Sequence, residues 1–154
     1  MDKTKESTMI VVRGKPAPQG SKVSTRFGGM REASQFVMPW RNQIVSACIE
    51  QKINNGEVIE QPVEIFIDFL FQRPQGHYGT GRNEGNLKPS APIYPITRTT
   101  GDIDKLCRST LDGLSIPSGG ILLRDDSLVV ELKAKKSFAA KGGFQGAFIH
   151  IWQL

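Results

Sequence analysis

GDIDKLCRSTLDGLSIPSGGILLRDDSLVVELKAKK, residues 101–136, carries two pairs of aspartates, each set just before a patterned run. Asp102 and Asp104 precede a helical repeat over residues 104–114, with Cys107, Leu111 and Leu114 as its apolar stripe. Asp104, Arg108 and Asp112 recur every four residues and share the opposite flank. Gly113, Pro117, Gly119 and Gly120 end that helix in a turn. Ile121 to Leu123 reads as a short strand, with Arg124, Asp125 and Asp126 as the turn after it. The run from Leu128 to Phe138 alternates: Leu128, Val130, Leu132 and Ala134 are expected inside, Val129, Glu131, Lys133 and Lys135 outside.

Outward from this stretch, the clearest strand is 62–72. Val63, Ile65, Ile67, Phe69 and Phe71 share one face, and Phe66 and Leu70 on the other predict a central strand buried on both sides. Asp68 lies on that second face, where a satisfied or edge position is the simpler reading than a ligand. Residues 34–52 predict a helix through Trp40, Ile44, Ala47 and Cys48, with Pro39 tolerable only in its first turn. Met9 to Arg13 and Phe144 to Trp152 read as strands, and residues 1–8 as a flexible charged tail. Residues 9–154 then make a single domain. The expected fold is α+β (mixed α/β), a sheet of about four to five strands with two main helices.

The chain has 154 residues and a formal net charge of +5, which favours an anionic partner. Two segments without periodicity concentrate that charge. Residues 15–30 and the adjoining Arg31 hold Lys15, Lys22, Arg26 and Arg31 with no acid before Glu32. Residues 73–100 hold Arg73, Arg82, Lys88 and Arg98 against the single acid Glu84, and His77 and Tyr78 can stack on bases. No apolar run reaches the roughly 18 residues of a membrane span, and the polar start predicts no signal peptide. Cys48 and Cys107 lie among apolar neighbours with no CxxC spacing and read as buried reduced thiols, which fits a cytoplasmic protein.

Carboxylates at element ends suit a hard cation such as Mg²⁺ or Mn²⁺, which takes oxygen ligands in octahedral geometry. Asp102 and Asp104 at a helix start, with Asp126 from the following turn, are the candidate ligands. Each part alone has an ordinary explanation: an N-cap, a favourable charge on the helix dipole, or a turn pair. An EF-hand is excluded, because the sixth position from Asp102 is Cys107 and the twelfth is Gly113. No P-loop, zinc spacing or nucleophile elbow occurs.

At GDIDKLCRSTLDGL and LLRDDSLVVELKAKK, joined by a short Gly-containing spacer, the sequence resembles the RusA-type Holliday-junction resolvases, or crossover junction endodeoxyribonucleases. GKPAPQGSK and HYGTGRN look like the actinobacterial and phage-borne branch of that family. The resemblance implies a homodimeric, Mg²⁺-dependent endonuclease, with Mn²⁺ as a substitute ion, that makes paired cuts in four-way DNA junctions during recombination and repair. It assigns the family's essential aspartates to Asp102, Asp104 and Asp126. The family's catalytic lysine falls on Arg108, a departure: arginine keeps the charge but cannot be deprotonated. Lys105 is the alternative source of an ammonium. Phosphate contacts are expected from Lys15, Lys22, Arg26, Arg31, Arg73, Arg82, Lys135 and Lys136. Two rival readings are a junction-binding module without cleavage and a DxD nucleotide-sugar enzyme.

Overall fold

The computed structural model describes residues 6–20, 23–24, 30–31 and 35–154. Its organising strand is β4 (Val63–Phe71), whose odd-numbered residues are all buried and whose even-numbered ones are half-buried. The β-branched and aromatic alternation of VEIFIDFLF produces this pattern directly. β4 pairs antiparallel with β6 (Gly146–Gln153) and parallel with β5 (Val129–Phe138). β1 (Ser7–Arg13) pairs antiparallel with the free side of β6, giving the order β1-β6-β4-β5. Two-residue strands β2 (Val23–Ser24) and β3 (Met30–Arg31) pair separately.

A parallel pair needs a long crossover, and the β4-to-β5 connection holds both the basic loop and a helix. That helix, α2 (Ile103–Leu114), packs against α1 (Val37–Glu50). Pro39 sits in the first turn of α1, where its missing N–H removes no helical bond. α1 buries Val37, Trp40, Ile44, Ala47 and Cys48, and α2 buries Leu106, Cys107 and Leu114, in one cluster with the odd-numbered face of β4. Trp40 Nε1 donates to Thr110 Oγ1 at 3.1 Å across the helix pair. Gly113 allows the approach, since a Cβ there would lie 2.8 Å from Ile44 Cδ1. Both cysteines are free and buried, and burial pushes each thiol up to about 11.

Several expectations change. β1 begins at Ser7, so Ser7 and Thr8 leave the expected tail to pair with Trp152 and Ile151; backbone pairing tolerates polar side chains on an edge. β4 is central as expected, yet its second face is only half-buried, beside the stacked rings of His150 and Trp152 at 4.0 Å. Residues 121–123 form no strand; Leu123 makes isolated bridges to Ile59 and Ser115. β5 is an edge strand whose register shifts after Val129, so Val130 and Leu132 of its expected inner face are 63% and 41% exposed while Val129 packs on the core. Asp68 is satisfied rather than free, accepting from Ser137 Oγ at 2.9 Å with Lys135 Nζ at 3.8 Å.

Candidate active site

α2 and β5 flank an open cavity of about 460 Å³. Asp104 and Arg108 reach it from one flank of α2, and Asp126 from the 3-10 turn 126–128 that leads into β5. Ile103, Cys107, Leu111, Leu132 and Ala134 form its apolar walls. The four-residue spacing of Asp104 and Arg108 places them on one helix face, and the β4–β5 crossover brings Asp126 to it.

Asp102 is the N-cap residue of α2, with extended backbone angles, and its carbonyl accepts from Leu106 N–H at 3.0 Å. Its carboxylate makes no capping hydrogen bond, so the ordinary N-cap role is unfilled and the acid remains exposed. Asp102 does not line the cavity. Among the described residues, no three His, Cys, Asp or Glu side chains come together as a metal-holding group. Asp102, Asp104 and Asp126 are therefore not preassembled as a cluster.

The two cavity acids differ electrostatically. Lys105 Nζ lies 3.2 Å from Asp104 Oδ2, and its hydrogen bond holds that carboxyl below the usual range. Burial pushes the Asp126 carboxyl up, aided by the neighbouring Asp125 and Asp112. Asp125 accepts from Ser127 N–H at 2.9 Å, which shapes the turn and lowers its own carboxyl. One acid thus carries a cation partner, while the other meets like charge and partial desolvation. The donor set is all oxygen. Mg²⁺ is held by one or two carboxylates with water and substrate phosphates completing the shell, so Asp104 and Asp126 suffice in kind, with Asp102 in reserve.

Sequence reading missed the packing that holds this site. Residues 17–19 run along α2: Ser109 Oγ donates to Ala17 O at 2.6 Å, and Gln19 N–H to Lys105 O at 3.0 Å. Gln19 Nε2 donates to Asp112 Oδ2 at 2.9 Å, while its buried Oε1 has no partner. Gly101 approaches Pro18 so closely that a Cβ would lie 2.6 Å from Pro18 Cγ. A glycine immediately before the acidic pair was the available signal.

The expected phosphate-binding cations are placed unequally. Arg82 is exposed, and exposed Lys15 has its Nζ 4.5 Å from the Phe36 ring. Lys135 is exposed beside Asp68. Two others are half-buried and bonded to backbone carbonyls. Arg73 donates to Pro92 O at 2.7 Å and stacks on Phe138 at 4.1 Å. Lys136 Nζ donates to Gly101 O at 2.8 Å, bracing the chain beside Asp102. Lys22, Arg26 and the side chain of Arg31 lie outside the described residues. No described helix is long and apolar enough to cross a membrane.

A second cavity, of about 440 Å³, lies between the end of α1 and residues 121–122. Lys52 and Glu57 are its charged lining residues, and none of the sequence-predicted site residues reaches it. Residues 13–149 match the family model described as Endodeoxyribonuclease RusA. No curated protein matches the chain.

Proposed function

The chain belongs to the endodeoxyribonuclease RusA family, and from that premise we propose that it is a Mg²⁺-dependent endonuclease cutting four-way DNA junctions in pairs as a homodimer. The observation that carries the reading is the meeting of Asp104, Arg108 and Asp126 in one cavity, from segments separated by the turn after α2. Asp104 and Asp126, with Asp102 beside them, would hold Mg²⁺ or Mn²⁺. When bound, the ion supplies an activated water and neutralises phosphate charge. Arg108 offers fixed N–H donors to phosphoryl oxygens but no transferable proton. Lys105 pairs with Asp104 at 3.2 Å and would be free to donate to phosphate if a metal ion displaced it. Arg82, Lys15 and Lys135 supply affinity through backbone phosphates, and a two-fold dimer would present two such sites to a four-way junction.

A second reading, junction binding without cleavage, draws on two observations: Lys105 already pairs with a cavity acid, Asp104, and Arg108 stands where the family has lysine. Labelled four-way junction incubated with protein in Mg²⁺, in EDTA, and with Asp104→Asn separates the two. Paired nicks in opposing arms that need both the ion and Asp104 are expected. Tight binding with no nicks under any condition would move the chain to the second reading.

A further inference from the structure

The segment Pro92-Ile93-Tyr94-Pro95-Ile96 stands out on the surface. Ile93, Tyr94 and Ile96 are 75%, 63% and 78% exposed, while Pro95 between them is buried. The backbone carrying them is pinned on both sides. Arg73 Nη1 donates to Pro92 O at 2.7 Å, and on the other side Thr100 Oγ1 donates to Thr97 O at 2.8 Å with Pro95 O 3.3 Å away. Thr100 in turn accepts from Lys136 Nζ at 3.2 Å. Two prolines fix φ in the same five residues. Large apolar side chains are thus held outward on a stiffened, anchored backbone, a costly display for a segment that stays in water.

Charge identifies what covers them. Arg82, Lys88 and Arg98 of the same loop are exposed against the single acid Glu84, so the segment stands among exposed cations. An occupant that is anionic outside and apolar on its stacking faces fits both features, and nucleic acid with an interrupted base stack is that occupant. Position agrees. Asp102 is six positions after Ile96, so the two lie within about 21 Å, less than one turn of duplex.

Resting on the junction-endonuclease reading above, we propose that Ile93, Tyr94 and Ile96 form an apolar wedge that inserts at the branch point of a DNA junction and holds its central bases unstacked. Phosphate contacts from the surrounding cations would recognise any DNA; the wedge would recognise the branch, where stacking is already interrupted. The anchors make the display preorganised, so little ordering entropy is lost on insertion.

The test uses the full chain and a four-way junction with 2-aminopurine at the branch point, in EDTA so that no strand is cut. Wild-type binding is expected to raise the fluorescence. The Ile93→Ser/Tyr94→Ser/Ile96→Ser variant is expected to bind while leaving the signal flat. In Mg²⁺ it should cut a paired junction roughly tenfold or more slowly, and recover on a junction with two unpaired central bases. Unchanged melting temperature certifies its fold, with Tyr94→Ser alone as the milder variant. Equal fluorescence for wild type and variant, while both bind, overturns the wedge. So does a wild-type dimer that the substitutions dissociate in sedimentation, because the segment's occupant is then a second copy. Wild-type protein that neither binds nor cuts any branched DNA removes the parent reading itself.

Discussion

Replacing Gly101 by alanine tests how the segment before the acidic residues is held. Gly101 has φ +85° and ψ 165°, a region that L side chains avoid. Residues held in such regions cost about 1–3 kcal/mol. The added Cβ would also lie 2.6 Å from Pro18 Cγ and 2.9 Å from Pro18 Cβ, both on the strap that crosses α2. Overpacking of this kind costs about 1–3 kcal/mol more. Gly119 is the internal control: its φ is +101°, yet nothing lies within 4 Å of an added Cβ. Gly119→Ala therefore carries backbone strain alone, about 1–2 kcal/mol. For a chain of this size, 1 kcal/mol moves the melting temperature by about 2–4 °C. Thermal denaturation should show Gly101→Ala losing about 5–20 °C and Gly119→Ala about 2–8 °C. Pro18→Ala removes Cγ and Cδ, so it should cost less in the Gly101→Ala background than in wild type. A Gly101→Ala loss no larger than that of Gly119→Ala would refute the claimed contact with Pro18.

Two further outcomes follow from buried and charged groups. Thr110→Val removes the acceptor of Trp40 Nε1 and leaves a buried donor unpaired, a cost of about 1–3 kcal/mol. In a Trp40→Phe background the same change should cost distinctly less; equal costs on urea denaturation would sever the link between α1 and α2. Asp126 has a raised carboxyl, so the folded protein binds that proton more readily than the unfolded chain does. Its contribution is intact below the ordinary value of 3.8 and is lost as pH rises through the higher folded value. With chelator present, Asp126→Asn should raise the melting temperature at neutral pH and not below that ordinary value. A gain independent of pH would show that charge is not its source.

The strands and helices were legible where one face of an element is buried and the other is not. β4 and α1 met that condition, and their residues fall where alternation and helical spacing put them. β5 did not. Its alternation is real, but an edge strand at the rim of a cavity leaves Val130 and Leu132 in contact with solvent, and periodicity carries no information about which strand is outermost. The acidic residues were legible as types and spacings, and Asp104 and Asp126 do line one cavity. What escaped was the local competition: Lys105 beside Asp104, Asp112 beside Asp126, and the place of Asp102 outside the cavity lining. Arg73 and Lys136 were legible as cations expected to contact phosphate. Both are half-buried, and each also donates to a backbone carbonyl, a use that depends on partners 19 and 35 residues away.

The placement of β6 has a consequence for biosynthesis. It follows every other described element along the chain, yet it lies between β1 and β4, and β1 has no other neighbour in the sheet. A growing polypeptide thus makes its first strand, both helices and every acidic residue of the cavity before it can join the two halves. Until Gly146 to Gln153 emerge, the β1 edge has nothing to zip to and the main sheet remains split. A chain ending upstream of β6 would therefore carry these aspartates without the strand that joins β1 to β4.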